Sequence, residues 1–403
     1  MRRGSTMSTV DHRSGVHNPD GAHRSPAPPR HGHYVPFLPC RAIGGAVLPV
    51  PMQTTTAYEP NEESPDPDFV VGVVDTGLVL NGDGRPHPWL EGHVVFDSTD
   101  DNDPLPDNGE LRADDGHGTF VAGIILREAP RVLVRTIRGF DRNTFANPDQ
   151  PTEEELTAAD VNVAGAILRL LDPNETLSRP SKIINLSFYG VFPDESRPTR
   201  IRDAIQAASD QGVVVIVAAG NDPRRSHVWP AAFAEQDAIR NMHVVGAVDE
   251  SLCRSREHPP FIATFSNRQE WVRTYANGVY VNGPLYSGDL TYAPVGPVHD
   301  YFLPAKSPVT LSSTPAVFRG WAKWSGTSFA AATVSGILAQ QAMENPGSAV
   351  ADIADQVLKP NIRIDGAGAP DQLVCYLRGV DSDWPASSST TPSHWDEGTS
   401  REA

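Results

Sequence analysis

The chain has 403 residues, 39% of them hydrophobic, and 33 Lys and Arg against 50 Asp and Glu give a net charge of −17 at pH 7. That length suffices for one large domain or two ordinary ones, each able to bury a full core. The acidic balance argues against a nucleic-acid or anionic-membrane surface, no run reaches the roughly 20 apolar residues of a membrane span, and the three distant cysteines (Cys40, Cys253, Cys375) form neither a disulfide framework nor a metal-ligand spacing.

Residues 1–33 are rich in His, Arg, Pro, Ser and Gly with almost no large apolar side chains, the composition of a disordered leader. Arg2 and Arg3 precede Ser, His, Asp and Pro rather than an apolar core, so the start does not read as a secretory signal, and a cytoplasmic protein is the expectation. Residues 34–67 form an N-terminal extension, and the main domain is expected over 68–381. Within it, short apolar runs alternate with helical patterns: Phe69–Val74, Arg131–Ile137, Lys182–Phe188, Val213–Ala218 and His243–Val248 read as buried parallel strands. A helix over Glu153–Leu171 places Leu156, Ala159, Val163, Ile167 and Leu170 on one face behind three glutamates in its first turn. A second runs over Ile201–Gln211 and stops at Gly212. This order predicts an α/β domain with a mostly parallel sheet covered by helices on both faces. Residues 282–320, with several prolines and no period, read as an irregular excursion, and 382–403 as a disordered tail.

Four motifs carry chemistry. Val73-Val74-Asp75-Thr76-Gly77 ends an apolar run in an acid at the carboxyl end of a strand, where open α/β sheets gather their functional groups; alone it also fits an ordinary turn. Asp115-Gly116-His117-Gly118-Thr119 leads into an apolar helix, so His117 sits at a helix start; no second His follows at zinc-ligand spacing. Val217-Ala218-Ala219-Gly220-Asn221 breaks a buried strand into small residues and an amide able to donate to an oxyanion. Ser325-Gly326-Thr327-Ser328-Phe329-Ala330-Ala331-Ala332 puts a serine in the first turn of a helix of small residues, which can hold a nucleophile rigidly.

In this order the four motifs resemble the subtilisin-like serine proteases over roughly Asp68–Gln341, with Ile183–Ser187 similar to the family's strand beside the substrate. The resemblance implies a three-layer subtilisin-like fold and a serine endopeptidase with Asp75, His117 and Ser328 as triad and Asn221 as oxyanion donor. It further implies a peptide or protein substrate added as a strand along Ser187, Phe188 and Tyr189, one side chain entering a pocket lined by Ala218, Ala219 and Gly220 and narrowed by Val228. Phe188-Tyr189 stands where the family has Leu-Gly. A folding prodomain of the length common in secreted relatives is not expected from the 67 residues before Asp68. No cofactor is expected; structural calcium, common in the family, would draw on Asp97–Asp107 with Asp114 and Asp115, a spacing that fits no EF-hand. An alternative is a gated or inactive fold of this kind acting as a binding module. An α/β-hydrolase would need a Gly-x-Ser-x-Gly elbow and the order Ser, Asp, His, neither of which is present.

Overall fold

The computed structural model describes residues 38–39, 50–51, 63–97, 99–103, 110–111, 115–140, 152–173, 179–190, 192, 197–223, 227–237, 239–250, 260–292, 316–364 and 373–379. All of them fall in the unit Tyr34–Ala403. The expected leader and tail, and most of the N-terminal extension, lie outside the described residues.

The strands are β1 (Leu38–Pro39), β2 (Val50–Pro51), β3 (Val70–Asp75), β4 (Val94–Val95), β5 (Glu110–Leu111), β6 (Leu133–Arg138), β7 (Ile183–Leu186), β8 (Phe188–Tyr189), β9 (Val214–Ala218), β10 (Met242–Asp249), β11 (Phe261–Ile262), β12 (Thr274–Asn277), β13 (Val281–Tyr292), β14 (Ala316–Trp324), β15 (Ile362–Arg363) and β16 (Leu373–Tyr376). The helices are α1 (His117–Glu128), α2 (Glu153–Arg169), α3 (Thr199–Asp210), α4 (Phe233–Gln236), α5 (Thr327–Glu344) and α6 (Val350–Val357). The main sheet runs β15-β16-β12-β10-β9-β7-β3-β6-β4, with β11 on β10. From β4 to β16 every neighbouring pair is parallel.

Alternation along the strands divides the core into two layers. Val74, Ile184, Leu186, Val215 and Val217 pack with α2 and α3, while Val71, Val73, Ile183, Val214 and Ile216 pack with α1 and α5. The expected helix of residues 153–171 is α2, opened by a capping box in which the Thr152 side chain accepts from Glu155 N and the Glu155 carboxylate accepts from Thr152 N at 2.7 Å. Its partner α3 ends before Gly212, whose φ of +78° is the left-handed stop. On the other face the first half of α5 is mostly small residues, and a Cβ on Gly336 would lie 2.7 Å from the Ile125 carbonyl of α1, so the two helices meet backbone to backbone there.

The excursion is not irregular where it is described. β13 and β14 form a long antiparallel ribbon, flanked by β2 and β5 in a four-stranded sheet of order β2-β14-β13-β5. Pro284, which argues against a strand in sequence, sits beside a register shift between Pro284 and Ser287, where a missing N–H is tolerated. Residues 293–315 lie outside the described residues.

Candidate active site

Asp75 is the last residue of β3 and is fully buried. Its Oδ1 accepts from the Thr76 N–H at 2.8 Å and faces His117 Nδ1 at 2.8 Å. His117 is the first residue of α1, after Gly116 at φ +80°. The two elements are fastened by short links: Gly118 N–H donates to Thr76 Oγ1 at 3.1 Å, and Val79 N–H to Thr119 Oγ1 at 2.8 Å. With Nδ1 turned to the carboxylate, Nε2 is the nitrogen left over, and among the described residues this buried atom has no hydrogen-bond partner.

The His117 ring lies in an aromatic nest that the sequence did not announce. Trp324, at the end of β14, meets it edge-on with centroids 5.5 Å apart, and Phe329 of α5 lies at 5.4 Å. Phe120 joins both rings at 5.5 and 4.8 Å. The ribbon therefore contributes a wall of the site. A tryptophan four residues before a candidate nucleophile is a signal only once the helix start is known.

Ser328 is in the first turn of α5 and fully buried. Its Oγ donates to the Ser187 carbonyl at 2.8 Å rather than to His117. Ser187 Oγ in turn donates to the Ser328 carbonyl at 2.9 Å, so the two serines are doubly tied. Asn221 follows the end of β9; its Oδ1 accepts from Thr327 N and Thr327 Oγ1 at 2.9 and 2.8 Å. Thr327 Oγ1 also accepts from Gly220 N–H at 3.1 Å. These bonds fix the amide with Nδ2 as its outer, donor end, and a Cβ on Gly326 would come within 3.4 Å of it.

Of the residues expected to line the pocket, Gly220, Val228 and Tyr189 meet. Gly220 has a φ of +90°, and a Cβ there would lie 3.0 Å from Val228 Cγ2 and 3.4 Å from Tyr189 Cγ. Ser187, Phe188, Tyr189 and Ala218 are fully buried, and Ala219 and Val228 nearly so. Asn267 supports the strand end by donating from Nδ2 to the Ala219 carbonyl at 2.8 Å. The β8 edge carries a strand of this same chain: β1 pairs with it antiparallel, Leu38 opposite Tyr189 and Pro39 opposite Phe188.

Among the described residues no cluster of three His, Cys, Asp or Glu could hold a metal ion; Asp107 and Asp114 lie outside them. Of the described acids of that loop, Asp101 and Asp103 bind backbone amides. Asp101 accepts from Asp97 N and Arg138 N, each at 3.1 Å, and Asp103 accepts from Gly116 N at 2.8 Å. Burial raises the Asp101 pKa against those bonds. Among the described residues no helix is long and apolar enough to cross a membrane.

The Subtilase family model matches residues 66–363. Curated relatives include a thermophilic serine proteinase of Bacillus sp. (strain AK1), 29% identical over 60% of this chain and 52% of its own length, and thermitase of Thermoactinomyces vulgaris, 28% identical over 51% and 63%. The chain thus spans less than two thirds of either. Among solved structures, the prenylagaramide maturation protease PagA covers 79% of this chain and 93% of its own, at 20% identity and a TM-score of 0.50. A lanthipeptide protease covers 78% and 88%, at 18% identity and the same TM-score. Such likeness carries the fold.

Proposed function

Because this chain belongs to the subtilase family, we propose that it is a serine endopeptidase that cleaves peptide or protein substrates through an acyl-enzyme on Ser328. The observation that carries the reading is the buried 2.8 Å contact between His117 Nδ1 and Asp75, which leaves the buried Nε2 as a base with no hydrogen-bond partner among the described residues. Asp75 fixes the imidazole tautomer and stabilises its charged form. Turning about χ1, a move between staggered wells, takes Ser328 Oγ from the Ser187 carbonyl to His117, which accepts its proton as the oxygen attacks the scissile carbonyl. The proton then passes to the leaving amine. Asn221 Nδ2 and the Ser328 N–H hold the oxyanion. An extended substrate along Ser187–Tyr189 presents one side chain toward Gly220, where Val228 and Tyr189 leave little room.

A fluorophosphonate probe tests this. Wild type is expected to be labelled and Ser328→Ala not, with circular dichroism unchanged. Equal labelling of the two, or no labelling of folded wild type, overturns the assignment.

A further inference from the structure

Asn185 stands in the middle of β7, paired with Val73 on β3 and Ile216 on β9, and is fully buried among apolar strand residues. A buried amide needs its hydrogen bonds met, and the way they are met points at Ser328. Ser335 Oγ lies 3.0 Å from Asn185 Oδ1 and 2.9 Å from the Ala331 carbonyl, its one proton shared between the two acceptors, and Asn185 Nδ2 donates to Ser187 Oγ at 2.7 Å. Ser187 Oγ donates to the Ser328 carbonyl, and Ser328 Oγ donates back to the Ser187 carbonyl. Ser335, Asn185, Ser187 and Ser328 are all at most 0% exposed, so water does not compete along the line.

The spacing gives the line its leverage. Asn185 and Ser187 are two apart on an extended segment and face the same side. Ser328 and Ser335 are seven apart on α5, two turns and about 10 Å along one stripe. Two points on the strand therefore grip two points on the helix, fixing both its slide along the sheet and its rotation about its own axis. A valine at 185 would serve the core as its neighbours do. Only an amide, accepting at one end and donating at the other, turns the Ser187 hydroxyl proton toward the Ser328 carbonyl.

We infer that Asn185 is a positioning residue for the nucleophile, acting through the Ser187 hydroxyl with its own amide oriented by Ser335. The inference rests on the reading of Ser328 as nucleophile. The test measures kcat and KM on a peptide substrate and the rate of fluorophosphonate labelling, normalised to folded protein, for the full chain and its variants. Asn185→Leu is expected to lower kcat and labelling rate about 10- to 100-fold with KM within about twofold. Ser187→Ala is expected to do the same. Because the two residues act in series, the double variant should match Ser187→Ala rather than multiply the losses, a result that a purely structural role for Asn185 would not give. Multiplying losses, or a kcat for Asn185→Leu within twofold of wild type, overturns the inference. If Asn185→Leu does not fold, Ser335→Ala takes its place: a three- to tenfold loss of kcat supports the inference and a wild-type kcat overturns it. Wild type that is labelled while every variant is labelled at the same rate refutes the positioning role alone; wild type that is not labelled refutes the peptidase reading and this inference with it.

Discussion

A methyl group at position 118 is a sharp probe of the site, because Gly118 lies where α1 is pressed against the turn after β3. A Cβ there would stand 2.3 Å from the Gly77 carbonyl oxygen and 3.2 Å from Gly77 C and N. Ordinary contact begins at 3.4 Å, and backbone on both sides cannot rotate away, so Gly118→Ala must open the gap by about 1 Å. The same two elements carry His117 and Asp75. Their 2.8 Å contact lengthens to nearly 4 Å, past hydrogen-bonding distance. A misplacement of that size costs about 10²-fold, and loss of the Asp–His orientation up to about 10⁴-fold, so kcat/KM is expected to fall between those limits. Overpacking costs about 1–3 kcal/mol of stability, small enough to leave the protein folded. The assay is kcat/KM on a fluorogenic peptide alongside thermal unfolding. Gly165→Ala is the control, since no atom lies within 4 Å of a Cβ there. A Gly118→Ala variant with kcat/KM within threefold of wild type refutes the reasoning.

The control itself should stabilise α2 by about 0.5–1 kcal/mol, read as a higher urea midpoint; a lower midpoint would contradict the open space at that position. Asn221→Ala is expected to reduce kcat about 100-fold or more with KM little changed, and an unchanged kcat removes the amide from the mechanism. His87 is buried, accepting from Trp89 N–H at Nδ1 and bonded to the Gly320 backbone, and burial lowers its pKa to about 4. The unfolded chain, with an ordinary histidine, binds the proton first as pH falls. Stability is therefore full above pH 6.5 and drops by about 3 kcal/mol as pH falls from 6.5 to 4. Urea titrations over that range should be flatter for His87→Gln, and identical slopes would refute the assignment.

Much of this architecture could be read before any coordinates. The near-continuous apolar runs became β3, β6, β7, β9 and β10 because strands covered on both faces need no polar alternation. Asp75 and His117, 42 residues apart, could be paired only through motif order, and the fold brings them into contact. The β13–β14 ribbon was hidden because Gly283, Pro284 and Gly288 interrupt the pattern, and pairing with a distant strand overrides such local signals. The aromatic nest around His117 was hidden because Phe120, Trp324 and Phe329 meet only through packing. Asn185 could have been noticed: a single amide inside Ile183-Ile184-Asn185-Leu186 must find buried partners.

The pairing of β1 with β8 bears on how a peptide would reach the edge proposed to receive it. Leu38–Pro39 belongs to the same polypeptide, so if substrate adds to this edge as proposed, the strand competes at an effective concentration on the order of millimolar and raises the apparent KM of a peptide that has to displace it. The tether grips lightly, since Pro39, opposite Phe188, has no N–H to give to the ladder. On the proposed reading the resident strand is thus a competitor that a substrate displaces, and not a seal.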